Sequence, residues 1–143
     1  MEYQELVRHV QERAELGTRE EAVAVVEAVL GTLGELLSPS ERRHLATQLP
    51  KPLKDGARRW VERPPREMTR PHRFSLEEFY HRVAARSRLG YPAAVKCSQA
   101  AMRALQEAIS EGELTDIFRE LPPEYEELRT GTPQSPASPS IVE

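Results

Sequence analysis

The residues of this chain whose types could do chemistry are few and scattered. Four histidines stand at His9, His44, His72 and His81. A histidine-based metal site wants a second histidine, or a cysteine, three or four positions away on one helix, and none of the four has such a neighbour. His9 and His81 adjoin Arg8 and Arg82, which suits solvated imidazoles rather than ligands or bases. Carboxylates come in pairs, Glu20-Glu21, Glu77-Glu78 and Glu126-Glu127. General acid–base work needs such groups in a dry cleft that displaces their pKa. These pairs fall in first helical turns or on exposed faces, where they complement the helix dipole. Cys97 lies on an apolar helix face with Lys96 beside it, the setting of a buried structural thiol. There is no Gly-rich phosphate loop, no nucleophile elbow and no cofactor fingerprint. The expectation is therefore a protein with no catalytic residues, no cofactor and no metal.

One cluster points outward. Arg58, Arg59 and Trp60, followed by Arg63, Arg66, Arg70 and Arg73, set guanidinium groups around an indole, an arrangement suited to phosphate contact and base stacking. Between Lys51 and Arg73 eight Lys/Arg face three acids, a surplus of five that leaves −8 for the rest of a chain whose net charge is −3. An anionic partner would meet this segment and be repelled by the remainder. The competing reading is a basic linker lying on acidic surfaces, with Trp60 as a core plug, and the shortness of the segment favours it.

The elements that must position these groups are helical throughout, since no alternating strand pattern occurs. Tyr3, Leu6, Val7, Val10 and Ala14 form one stripe of a first helix, Tyr3 to Glu15, which Leu16-Gly17 ends by supplying a left-handed glycine. Thr18 and Glu21 make a capping box for a second helix. Ala22, Val23, Val26, Val29, Leu30, Leu33, Leu36 and Leu37 cover more than half its circumference, so it is expected to be the most buried. Gly31 and Gly34 within it suggest close approach of a neighbour. Ser38-Pro39-Ser40-Glu41 opens a short third helix to Gln48, with a serine cap, a proline in the first turn and a glutamate at the third position. Lys51 to Glu62 offers a sparse apolar side, Leu53, Ala57, Trp60 and Val61, against which Asp55-Gly56 argues for a break. Arg63-Pro64-Pro65 and Arg70-Pro71 then bracket a linker. Ser75 and Glu78 read as another capping box, Tyr91-Pro92 starts an Ala-rich helix, and Ser110 and Glu113 repeat the earlier cap. A last short helix spans Glu124 to Leu128, and the Gly, Thr, Pro, Ser-rich remainder to Glu143 is expected to be disordered.

These helices recur in order. Setting Glu5–Gly17 on Glu78–Gly90, and Ala22–Pro50 on Ala94–Pro122, matches Glu5/Glu78, Val10/Val83, Arg13/Arg86, Leu16/Leu89, Gly17/Gly90, Ala22/Ala94, Val23/Val95, Ala28/Ala100, Leu33/Leu105, Glu35/Glu107, Ser38/Ser110, Glu41/Glu113, Leu49/Leu121 and Pro50/Pro122. Chance would supply roughly three identities, so the chain reads as one helical unit written twice. The expected fold is all-α: two tandem homologous repeats packed into one helical bundle through their second helices. The first spans 1–62, a basic linker 63–74, the second 75–130 and a tail 131–143. Two copies of helix, Leu-Gly, Ala-rich helix, Ser-x-x-Glu, Leu-Pro resemble the bacterial DUF2267 family over about residues 1 to 130. That resemblance implies a small all-helical protein, carries no assigned activity and transfers no catalytic residue.

Composition agrees with a water-soluble helical protein, with 38% hydrophobic and 30% charged residues. One cysteine excludes an internal disulfide, and a reducing cytoplasm is its natural compartment. The first residues have neither the basic head nor the apolar run of a signal peptide, and no stretch approaches the roughly 20 apolar residues of a membrane span. The function expected is non-enzymatic: a helical binding or scaffold protein acting on a protein partner or on copies of itself, with nucleic-acid or polyanion binding through Arg58–Arg73 as the alternative.

Overall fold

The computed structural model describes residues 2–55 and 73–131. The helix α1 spans Tyr3–Arg13 and buries Leu6, Val7 and Val10, the three positions its stripe supplies. It is followed by α2, Arg19–Leu36, opened by the expected capping box: Glu21 donates its backbone N–H to Thr18 Oγ1 at 3.1 Å, and Glu21 Oε1 accepts from Thr18 N at 3.1 Å. More of α2 is buried than of any other described helix, including Val25, Val26, Val29, Leu33 and Leu36. The third helix α3, Pro39–Gln48, ends before Pro50, and residues 51–55 begin another helical turn that seats Leu53 in the core. Beyond residue 72 come α4 (Leu76–Ser87), α5 (Tyr91–Ala108) and α6 (Glu111–Arg119). A single 3-10 turn over Pro123–Tyr125 then leads into α7 (Glu126–Thr130). Every element among the described residues is helical.

The core is a four-helix arrangement of α1, α2, α4 and α5. As expected α2 meets α5, and in addition each packs against both α1 and α4, so that α1 lies on α5 and α4 on α2 across the chain's two halves. Leu6, Leu33, Phe79, Met102, Leu105 and Tyr125 are almost wholly removed from water. Each such side chain contributes on the order of 1.5–3 kcal/mol. α3 and α6, which follow α2 and α5, pack on each other.

Four local expectations need correction. α1 ends at Arg13, and the left-handed residue after it is Glu15 (φ 57°), not Gly17; after α4 it is likewise a non-glycine, Arg88 (φ 62°). Leu16 and Leu89 reach back to the carbonyls of Gln11 and Ala84 at 2.9 and 3.1 Å, a closure that fixes the left-handed position one residue before the leucine. Gly31 does not admit a neighbour: among the described residues nothing lies within 4 Å of where its Cβ would be. At Ser75 only half of the box forms, because Glu78 turns instead to Arg82 at 2.9 Å. The last helix extends to Thr130, held where Gln106 and Arg103 donate to the carbonyls of Arg129 and Thr130 at 2.7 and 3.1 Å. The tail beyond residue 131 and most of the basic linker lie outside the described residues.

Candidate functional site

The contact between α3 and α6 is built from their caps. Ser38 Oγ accepts from Glu41 N and Ser110 Oγ from Glu113 N, each at 3.2 Å. In a closed capping box the glutamate would return the bond to the serine's backbone N–H. Here that N–H is satisfied from the other half of the chain: Ser38 N donates to Glu120 Oε1 at 2.8 Å, and Ser110 N to Gln48 Oε1 at 2.7 Å. The Ser38 hydroxyl adds a bond to Glu120 Oε2 at 2.9 Å. Relieved of capping, Glu41 and Glu113 turn inward. They are only 6% and 7% exposed, and the Oε2 atom of each meets no donor among the described residues.

His44, one turn after Glu41 on α3, joins them, and the ligand atoms of Glu41, His44 and Glu113 all lie within 4.8 Å of one another. Burial pushes the Glu41 carboxyl up to about 8, and the hydrogen bond and charge of Glu113, with the charges of Glu120 and Asp116, push the same way. A second carboxylate this close in a partly dry contact makes Glu41 costlier to ionise. Beneath them Arg42, 2% exposed, donates Nη1 to the carbonyls of Gly34 and Leu37 at 3.2 and 2.8 Å. It supplies the cationic cap that the last turn of α2 lacks.

The same exchange between halves holds the four core helices. Glu35 on α2, buried, pairs with Arg82 and Arg86 on α4, and Arg86 also donates to Thr32 Oγ1 at 2.7 Å. Arg82 lies over the ring of Phe74, 4.0 Å from its centroid. Conversely Glu107 on α5 takes Arg13 Nη2 at 2.8 Å and sits 3.3 Å from His9 Nδ1, both on α1. The hydrogen bond from Arg13 leads the interactions that hold the Glu107 carboxyl below its usual range. His9 is thus half-buried beside Glu107 rather than out in solvent.

Of the residues singled out for an outward role, Arg58, Arg59, Trp60, Arg63, Arg66 and Arg70 lie outside the described residues, and Arg73 is exposed just before α4. Cys97 is buried as expected, and burial pushes its thiol up, away from reactivity. A surface groove of about 450 Å3 runs along α1 and the start of α2, lined by Gln4, Glu5, Val7, Arg8, Gln11 and Arg19. Those side chains bring no nucleophile and no paired acid and base. Spacing rules that look for histidine or cysteine neighbours pass over the trio Glu41, His44 and Glu113. Glu41-x-x-His44 shares a helix face, but Glu113 joins them only through the packing of α6.

A protein-family model described as an uncharacterized conserved protein, DUF2267, matches residues 3–128. No curated protein matches the chain.

Proposed function

The chain belongs to the DUF2267 family, and from that footing we propose a non-enzymatic helical binding protein, built by tandem duplication, that acts through contacts with a protein partner or with copies of itself. The observation that carries this reading is where the reactive side chains go. Arg13, Arg82 and Arg86 are spent on Glu107 and Glu35, and Glu120 and Gln48 on the caps of α3 and α6. Each of these bonds joins one half to the other. What they leave for function is the outer helical surface.

The duplication has support in the same contacts. Arg13 and Glu35 have Arg86 and Glu107 as their counterparts in sequence, and the two ion pairs that result are the exchange of one unit's arginine for the other's. Under this reading the units are 1–62 and 75–130, joined by the linker 63–74 and followed by the tail 131–143. No described helix is long and apolar enough to cross a membrane, and the single cysteine fits a bacterial cytoplasm. A thermal-shift panel of nucleotides and organic cofactors tests the non-enzymatic part, with no rise expected. A clear rise with any of them overturns it. Sedimentation velocity across a concentration series tests self-association.

The surplus of five positive charges between Lys51 and Arg73 supports a second reading, phosphate contact with nucleic acid. Labelled DNA and RNA titrated at about 50 and 200 mM salt discriminate, since phosphate binding weakens steeply over that range. No salt-sensitive binding at the lower concentration removes this alternative.

A further inference from the structure

We propose that Glu41, His44 and Glu113 bind one divalent transition-metal ion of the Zn2+ class, which ties α3 to α6. Three observations converge. The two carboxylates are more than nine-tenths buried, and apart from each other they offer an Oε2 atom that meets no donor among the described residues. Their freedom has a structural cause, because Glu120 and Gln48 occupy the backbone N–H groups that third-position glutamates ordinarily take. Third, a nitrogen ligand completes the set, all three ligand atoms falling within 4.8 Å of one another.

The chemistry selects the ion. Ligands at about 2.0–2.2 Å from a tetrahedral ion stand roughly 3.4 Å apart. The residual gap closes by rotation about the terminal torsions of the two glutamates, which are broad. Two carboxylates offset the charge of a divalent ion, and the imidazole favours zinc and its late transition-metal neighbours over manganese, magnesium and calcium. His44 is exposed, which gives the ion a route in and leaves the remaining coordination position to water. Asp116, one turn after Glu113, and Glu120 deepen the negative potential at Glu41. The role is structural: the ion fastens the first half of the chain to the second where two buried carboxylates otherwise oppose each other. This is contrary to what histidine spacing alone leads one to expect.

Titration calorimetry of the full chain, free of tag and stripped with chelator, tests this with ZnCl2, MnCl2 and MgCl2. One Zn2+ per chain is expected, with a rise in melting temperature that chelator reverses. His44→Gln and Glu113→Gln should each weaken Zn2+ binding about tenfold or more, while His81→Gln leaves it unchanged. Because His44 is exposed, its variant folds even if the glutamate variant does not, and circular dichroism verifies both. Co2+-loaded protein should show visible d–d bands without a thiolate charge-transfer band, which separates this site from Cys97. Absence of Zn2+ binding at about 100 μM, undiminished binding by the His44→Gln protein, or preference for Mg2+ or Mn2+ over Zn2+ overturns the proposal.

Discussion

Glu41 and Glu113 face each other from the third positions of α3 and α6, their capping duties taken over by Glu120 and Gln48 from the opposite halves of the chain. Two acids brought together in this way oppose the packing that brings them together. Several properties of the protein follow from how that conflict is met.

The first is a pH dependence in chelator-treated protein. The folded Glu41 carboxyl is raised to about 8 against an ordinary value of 4.5, so the folded state binds more protons than the unfolded one between these limits. Stability from this group is therefore fully present below about pH 4.5 and is lost as the pH rises through about 8. Urea denaturation of wild type and Glu113→Gln at pH 5 and pH 8 isolates the pair from other titrations. The variant should gain on wild type by about 1–2 kcal/mol between the two pH values. An equal pH slope in both proteins contradicts the assignment.

Unequal burial makes the two ion-pair clasps unequal in weight. Glu35 has a side chain 7% exposed between two arginines, whereas the Glu107 side chain is 42% exposed. Glu35→Ala should cost about 3 kcal/mol, because it removes the buried carboxylate that Arg82 and Arg86 share and leaves them only Glu78 and Thr32. Glu107→Ala should cost far less, and raising the salt to 1 M should erase its effect. Denaturation midpoints of the two variants at low and high salt check both statements.

Glycine positions give a prediction of the opposite sign. Gly31 lies within α2 with open space where a Cβ would stand, so Gly31→Ala should stabilise by about 0.5–1 kcal/mol. Arg88→Gly should also stabilise, by a similar ~0.5–1 kcal/mol, since Arg88 holds a left-handed conformation at φ 62°. Gly131, at φ 75°, would place a Cβ 2.9 Å from Arg103 Nη2, and Gly131→Ala should destabilise. Thermal melts of the three variants decide all three signs.

Local rules carried most of the helical outline. Thr18 with Glu21 marked the start of α2, its wide apolar face marked the most buried helix, and Pro50 marked the end of α3. Such features are set by neighbours in the chain, which is why they can be read from it. Glu15 and Arg88 escaped because the closure of a helix end is fixed by backbone bonds to Gln11 and Ala84, not by the nearest glycine. Glu41 and Glu113 escaped for a different reason. Their serine caps were legible, but the loss of the returning bond depends on Glu120 and Gln48, which only packing brings into reach.

The most direct measurement is anomalous diffraction at the zinc edge from crystals grown with Zn2+. A single strong peak bounded by Glu41, His44 and Glu113 is the expected result. Peaks only at Cys97, His9 or His81, with none between α3 and α6, would contradict it.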